Sequence, residues 1–283
     1  MKSITLRNGV VMPQLGFGLL QIRDSVICER CVEDALNEGY RLFDTAAAYF
    51  NEEAVGRAIE GAGVPRQQLF ITTKLWLQDY SYDKAQWAFQ ASLKRLQLDY
   101  IDLYLLHQPF GNYYAAWSVL EKLYQEGLAK SIGVCNFTPE RLVDLCLNSE
   151  IPPMLNQVEL HPFLLQSDPL RVMREYRVQP EGWGPLCEGQ KGIFQNHILT
   201  KIGEKYGKTA AQTSLRWNIQ RGVVVIPKTV HVERMKENMN IWDFSLSEED
   251  MSQINSLDSG ESEIIDFHSA CTAKWLNEFA IHE

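Results

Sequence analysis

The sequence predicts an α/β fold, a (β/α)8 TIM barrel with an N-terminal β-hairpin and two extra C-terminal helices, and three observations carry that reading. Eight short apolar or β-branched runs alternate with stretches of helical periodicity along 283 residues, slightly above the usual size of that architecture. The first run lacks a G-x-G-x-x-G turn, since Gly16-Phe17-Gly18 continues as Leu19-Leu20-Gln21, and this counts against a doubly wound dinucleotide-binding sheet, the competing architecture. No linker or internal repeat beyond the β/α alternation divides the chain, so residues 1–283 read as one domain.

The elements follow in order. Ile4–Leu6 and Val10–Met12 flank Arg7-Asn8-Gly9, which predicts a hairpin over residues 1–13 closed by a type I′ turn at Asn8-Gly9. The barrel strands are expected at 15–18, 41–46, 69–75, 101–106, 131–135, 155–160, 178–183 and 223–226, with the first two helices at about 25–38 and 52–61. The extra helices fall at about 231–240 and 247–257, the second opening with Ser247 and Asp250 at capping-box spacing. The tail, 259–283, reads as irregular and is placed over the mouth of the barrel. Trp87, Trp117 and Trp217 are expected to pack on the apolar faces of outer helices.

With 45% hydrophobic residues the chain can bury a large core, and the balance of 27 Lys and Arg against 36 Asp and Glu leaves a net charge of −9. Phosphate backbones and anionic lipid surfaces repel such a chain, so neither nucleic acid nor membrane is an expected partner. The longest stretch without a charged residue, 103–120, contains His107, Gln108, Pro109, Gly111 and Asn112, which hydrocarbon does not accept. The N-terminus, broken by Arg7 and the Asn-Gly turn, lacks the apolar segment of a secretory signal, and a cytoplasmic protein, monomeric or weakly oligomeric, is expected. The six scattered cysteines suit a reducing compartment. Cys28-x-x-Cys31 lies within a helical pattern, without a second ligand pair at zinc spacing, and reads as two packed thiols.

In such barrels the chemistry sits at the C-terminal ends of the strands. There the sequence places Asp44 (FDTAAAY), Tyr49 five residues later, Lys74 (ITTKLW) and His107 (LYLLHQP). A lysine and an aspartate at the ends of apolar strands are costly to desolvate unless paired, and an ammonium beside a phenol favours the phenolate. Tyr49 is therefore expected to have a lowered pKa, which suits a general acid near neutral pH.

FDTAAAYFNEEAVGRAI, TKLW, IDLYLLHQP, GVCNF, LNQVELHP, EGWGPL and VVVIPKTVHVERMKENMN, in this order and at these intervals, closely resemble the aldo-keto reductases, in particular their short-loop bacterial members, from about Thr5 to Asp258. The resemblance implies an NAD(P)H-dependent carbonyl reductase. Tyr49 matches its proton donor, Lys74 the partner that tunes that donor, Asp44 the carboxylate paired with the lysine, and His107 the imidazole that orients the substrate carbonyl. Asn136 and Gln157 match the residues that bind the nicotinamide carboxamide, and Trp183 the aromatic under the ring, with Gly184 and Leu186 in the same cofactor set. Lys228, Thr229 and Arg234 match the group around the adenosine 2′-phosphate, and Glu237 and Asn238 the adenine contacts. Two cations and a hydroxyl around one anion favour NADPH over NADH.

The chain departs from the family pattern at three positions. Cys135 replaces a common serine, leaving a weak S–H where a hydroxyl would donate, with looser cofactor binding expected. Gln108 stands where many relatives have Trp, and Leu20 where an aromatic often lines the mouth, so a less aromatic pocket is expected, walled by Trp76 and Phe110 and covered by Trp275. The loops after the fourth and seventh strands are short, which points to small accessible carbonyl substrates such as methylglyoxal, keto sugars or aromatic aldehydes. Two other readings stay open here: an NADPH-binding accessory or sensor protein on the same fold, and a metal site drawn from Glu159, His161, His107 and Asp44. The metal reading is weakened because LGFG offers no ligand at the first strand.

Overall fold

The computed structural model describes residues 2–262 and 264–283; Met1 of the expected hairpin segment and Glu263 of the expected tail lie outside the described residues. The chain opens with β1 (Ser3–Thr5) and β2 (Val11–Pro13), an antiparallel hairpin. The turn between them differs from the expected type I′, which needs positive φ at both central residues. Only Gly9 is left-handed (φ +88°), its N–H donating to Leu6 O at 2.9 Å. Asn8 instead accepts the Val10 N–H on Oδ1 at 3.3 Å, the local bond that asparagine offers a turn.

Eight parallel strands follow, each pairing with the next: β3 (Phe17–Gly18), β4 (Leu42–Asp44), β5 (Phe70–Leu75), β6 (Leu103–Leu106), β7 (Ile132–Cys135), β8 (Leu155–Glu159), β9 (Gln179–Trp183) and β10 (Val224–Val225). The two end strands meet: Leu15 bridges Val225 in parallel, and Gly16 N donates to Val225 O (2.8 Å) and Gly18 N to Pro227 O (3.1 Å), closing the ring. Close approach is possible there because Gly18 lacks a side chain; a Cβ would lie 2.6 Å from Ile226 O.

Around the ring pack α1 (Ser25–Asn37), α2 (Glu52–Gly61), α3 (Tyr82–Leu96), α4 (Tyr113–Gln125), α5 (Pro139–Asn148), α6 (Ser167–Glu175), α7 (His197–Tyr206) and α8 (Ala210–Gln220). The seam between sheet and helices forms the larger apolar core. A smaller cluster fills the ring itself, where Leu42, Phe70, Leu103, Leu155 and Val224 meet Leu6 and Met12 of the hairpin. The hairpin therefore plugs the N-terminal end of the barrel, each fully buried side chain contributing roughly 1.5–3 kcal/mol. The other end is left for chemistry.

The two helices expected after the last strand form as α9 (Val232–Met239), which packs between α8 and α1 in the outer ring, and α10 (Glu248–Asn255), the latter with the expected capping box: Ser247 Oγ accepts from Asp250 N and Asp250 Oδ2 from Ser247 N. The tail is not irregular throughout, because Ala270–Glu278 forms α11, capped by Ser269 Oγ. Trp117 and Trp217 are buried, whereas Trp87 is 55% exposed and sets its ring edge-on to His282. It falls off the face of α3 that buries Ala85, Ala88, Phe89, Ser92, Leu93 and Leu96. Cys28 and Cys31 are buried free thiols, and burial pushes the first up to about 12. No helix among the described residues is long and apolar enough to cross a membrane.

Candidate active site

Lys74, on β5, is fully buried, and its three ammonium donors are all used: Nζ reaches Asp44 Oδ1 at 2.5 Å, Thr45 O at 2.8 Å and Tyr49 Oη at 3.3 Å. Burial, the largest single influence, pulls the lysine pKa down, but the Asp44 carboxylate with Tyr49 and Cys135 together outweigh it and hold Lys74 above its ordinary value, so it stays cationic. Tyr49 comes back over the end of β4 on a single tight helical turn, Ala47–Tyr49. Asn51 secures that turn by accepting from Thr45 Oγ1 (2.6 Å) and donating to Leu19 O and Ile22 O.

The expected lowering of the Tyr49 pKa is reversed. Burial dominates and raises the phenol above its ordinary value, with Lys74 pulling the other way. Tyr49 therefore keeps its proton at neutral pH. His107 is pushed well below its ordinary value, first by burial and then by the charge of Lys74, so the ring is neutral. It meets Tyr49 and Trp76 edge-on, with centroids 5.5 and 5.1 Å away, and its buried Nδ1 has no hydrogen-bond partner.

Gln157, on β8, donates both amide hydrogens, one to Asp44 Oδ2 and one to Glu181 Oε2, each at 2.8 Å. An amide has only two N–H donors, so Gln157 is locked with Oε1 as its remaining group; the Cys135 Sγ lies 4.0 Å from that oxygen. Glu181 was not singled out from the sequence. It is fully buried on β9, and burial together with the Asp44 charge raises its pKa well above a carboxyl's usual range. A lone charged residue in the middle of a short strand segment, VQPEGW, is the signal that could have found it. Asn136 takes a left-handed φ of +60°, accepts from Trp183 Nε1 (2.8 Å) and donates to His107 O (3.3 Å), tying β7 to β9 and β6.

These groups face a cavity of about 790 Å³ at the C-terminal ends of the strands. Of the sequence-predicted residues, Leu20, Asp44, Tyr49, Trp76, His107, Gln108, Asn136, Gln157, Trp183, Gly184, Leu186, Lys228 and Arg234 line it. Lys74 lies behind Tyr49, and Thr229, Glu237 and Asn238 lie off the lining. Glu237 accepts from the Thr209 hydroxyl, and the buried Thr229 accepts the His231 N–H. Phe110 is not a pocket wall; it is buried elsewhere, with the Arg141 guanidinium 5.0 Å above its ring. Nor is the pocket poor in aromatics, because the tail restores them: Phe267, Trp275 and Phe279 line the mouth, and Trp76 Nε1 donates to Phe279 O at 2.7 Å.

Glu159 and His161 bond to each other at 3.0 Å, and the Ser262 hydroxyl donates to the same carboxylate. No three His, Cys, Asp or Glu side chains among the described residues gather into a metal-binding group. Lys228 and Arg234 form no ion pair with a carboxylate among the described residues, although both face the cavity. Unpaired cations on a cavity wall fit a phosphate group.

Comparison with known proteins identifies relatives over nearly the whole chain. The family model described as Aldo/keto reductase family matches residues 15–259. The chain is 45% identical over 261 residues to methylglyoxal reductase DkgA of Escherichia coli O157:H7, covering 91% of this chain and 94% of that one. It is also 45% identical over 260 residues to glyoxal reductase of Bacillus subtilis (strain 168), covering 92% and 94%. Among solved structures, the Bombyx mori aldo-keto reductase AKR2E4 in complex with NADP superposes with a TM-score of 0.89 at 34% identity, covering 94% of this chain and 95% of that chain.

Proposed function

Because this chain belongs to the aldo/keto reductase family, we propose that it reduces small aldehydes and ketones to alcohols with NADPH, Tyr49 giving the proton to the carbonyl oxygen. The observation that carries this reading is the single buried lysine that ties the Tyr49 phenol to Asp44 on the floor of the cavity, beside a neutral imidazole. Bound NADPH supplies the hydride.

As negative charge develops on the substrate oxygen, two donors meet it, the Tyr49 hydroxyl and an N–H of neutral His107. With Nδ1 buried and unpartnered, the tautomer that protonates Nε2 leaves only an acceptor unmatched, and the Nε2–H is then the donor. Tyr49 holds its proton until the oxygen calls for it. Once the proton has moved, the phenolate lies beside Lys74, whose charge stabilises the deprotonated form; the lysine therefore acts late, on the product of donation.

Trp183, Gly184 and Leu186 would hold the nicotinamide face, with Asn136 and Oε1 of Gln157, whose two N–H donors are already engaged, on the carboxamide. Lys228, Arg234 and the Thr229 hydroxyl would hold the 2′-phosphate, and Glu237 and Asn238, one turn beyond Arg234 on α9, the adenine. Gln108 bears on substrate: its buried Oε1 has no partner and its residue lines the cavity, an acceptor suited to a hydroxyl next to the reacting carbonyl, as in a hydrated dicarbonyl or a keto sugar.

The test follows loss of reduced-nicotinamide absorbance with NADPH and with NADH, against methylglyoxal, glyoxal and nitrobenzaldehyde. NADPH turnover is expected, with Tyr49→Phe losing roughly 10²–10⁴-fold in kcat at little cost in NADPH affinity. Arg234→Ala should weaken NADPH about tenfold or more and NADH little. Gln108→Met should lower kcat/KM for methylglyoxal more than for nitrobenzaldehyde. A Tyr49→Phe enzyme of near-normal rate overturns the proton donor; equal losses of both nucleotides displace Arg234; tight NADPH binding without turnover favours a sensor.

A further inference from the structure

At the opposite end of the barrel, where no catalytic group lies, a second cavity of about 510 Å³ opens between the N-terminal hairpin, the end of α6 with the start of β9, and the turn from α8 to β10. Four of its lining residues are arginines: Arg7, Arg174, Arg177 and Arg221. None of the four forms an ion pair with a carboxylate among the described residues. The neighbouring Arg171 takes up Asp168 and Glu175 instead. In a chain of net charge −9, four cations gathered around one hollow with no carboxylate in its lining, Asp258 acting on Arg221 only from outside it, run against the average of the surface.

The arrangement is held in place. Arg221 lies over the Trp217 ring at 4.1 Å and donates Nη2 to Leu165 O at 2.5 Å, while its Nη1 is buried without a hydrogen-bond partner. Arg174 Nη2 donates to Arg221 O at 3.2 Å, so two of the arginines are linked through backbone. Gln179 braces the same rim by donating to Gly222 O at 2.8 Å. Arg177 takes a left-handed φ of +56° just past α6, and Arg221 caps α8. Two helix C-termini thus face the group, but each supplies only about half a negative charge, too little to balance four guanidinium groups.

We propose that these four arginines form a binding site for a compact polyanion carrying three or more negative charges, an oligophosphate or a tricarboxylate. Planar guanidinium forks match both chemistries bidentately, and a single monophosphate would leave the site underneutralised. The site is separate from the NADPH phosphate group proposed for Lys228 and Arg234, which lies at the other end of the strands.

The test titrates sodium tripolyphosphate, and separately citrate, into full-length protein saturated with NADP⁺, so that the upper phosphate site is filled, with binding read by calorimetry at low and at physiological salt. One polyanion per chain is expected, weakening as salt rises. The double variant Arg174→Gln/Arg177→Gln, at two exposed positions, should bind at least about tenfold more weakly, the loss of one or more charge-assisted bonds. Arg234→Gln should leave this binding unchanged. Tighter tripolyphosphate assigns phosphate chemistry to the site, and tighter citrate assigns carboxylate chemistry. Binding of neither probe into the millimolar range overturns the proposal. So does binding that survives the double variant, or that is lost with Arg234→Gln.

Discussion

Two sets of cations in this barrel, one at each end, are handled in opposite ways. At the C-terminal end Lys74 is fully buried and every one of its donors is met, with Asp44 at 2.5 Å. At the N-terminal end three of four arginines are exposed and none has a carboxylate. Desolvation accounts for the difference: a buried ammonium without a counter-ion is prohibitive, whereas an exposed guanidinium is kept solvated at little cost. Pairing keeps the buried Lys74 charged beside the Tyr49 hydroxyl. A charge left unpaired on a concave wall, as at Lys228 and Arg234 or around Arg221, is available to a ligand.

The sharpest way to break the contrast is Asp44→Asn. It leaves Lys74 buried without its counter-charge, and such losses cost about 3–5 kcal/mol. Urea unfolding should show a lower midpoint with an unchanged slope, together with loss of reduction. A shift below about 1 kcal/mol would mean that Lys74 is not held as an ion. By contrast, the exposed Arg174→Gln should move stability by less than about 0.5 kcal/mol.

Next in size is Gly18→Ala. The new Cβ would meet Ile226 O at 2.6 Å, in a segment where Gly18, Ile226 and Lys228 line the same cavity. Overpacking of this kind costs roughly 1–3 kcal/mol, so Tm should fall by several degrees and NADPH bind more weakly. An unchanged Tm would show that the backbone yields there.

The smallest effect concerns the tail. His282 sits 2.9 Å from the buried Asp79 carboxylate, beside Trp87 and with Lys84 nearby, and Gln78 bonds both His282 O and Ile281 N. The bond to Asp79 raises the His282 pKa, against burial. A raised folded-state pKa means that the contribution is full below the ordinary histidine value and fades as pH rises through the folded one. Hydrogen exchange over 276–283, corrected for intrinsic rate, should therefore accelerate modestly from pH 6 to above pH 7.5, the pair being partly exposed and screened. His282→Gln should flatten the trend; a profile that stays equally steep would assign it to another group.

Much of this was legible in the chain because strand ends are local. FDTAAAY, ITTKLW and LYLLHQP place Asp44, Lys74 and His107 by counting along apolar runs, and the Ser247 capping box is a four-residue pattern. What escaped depends on distant neighbours. The α11 segment is fixed by docking its C-terminal end near Trp76 and Gln78, some two hundred residues earlier. The direction of the Tyr49 pKa turns on burial outweighing Lys74, which spacing does not weigh. Phe110 lies one residue beyond HQP yet packs away from the cavity under Arg141.

The seam between β3 and β10 also imposes an order of events on the chain. Gln14 reaches Ile219 O across 205 positions, and Gly16 and Gly18 pair with Val225 and Pro227, so the ring stays open until almost the whole sequence is available. Joining such distant ends in a flexible chain costs on the order of 5 kcal/mol in closure entropy. Building the intervening β/α units first shortens the effective loop to nearly nothing. During synthesis, however, β3 must wait with an unpaired edge, and a waiting edge is what invites pairing between chains. Its length of two residues, Phe17–Gly18, keeps that invitation brief.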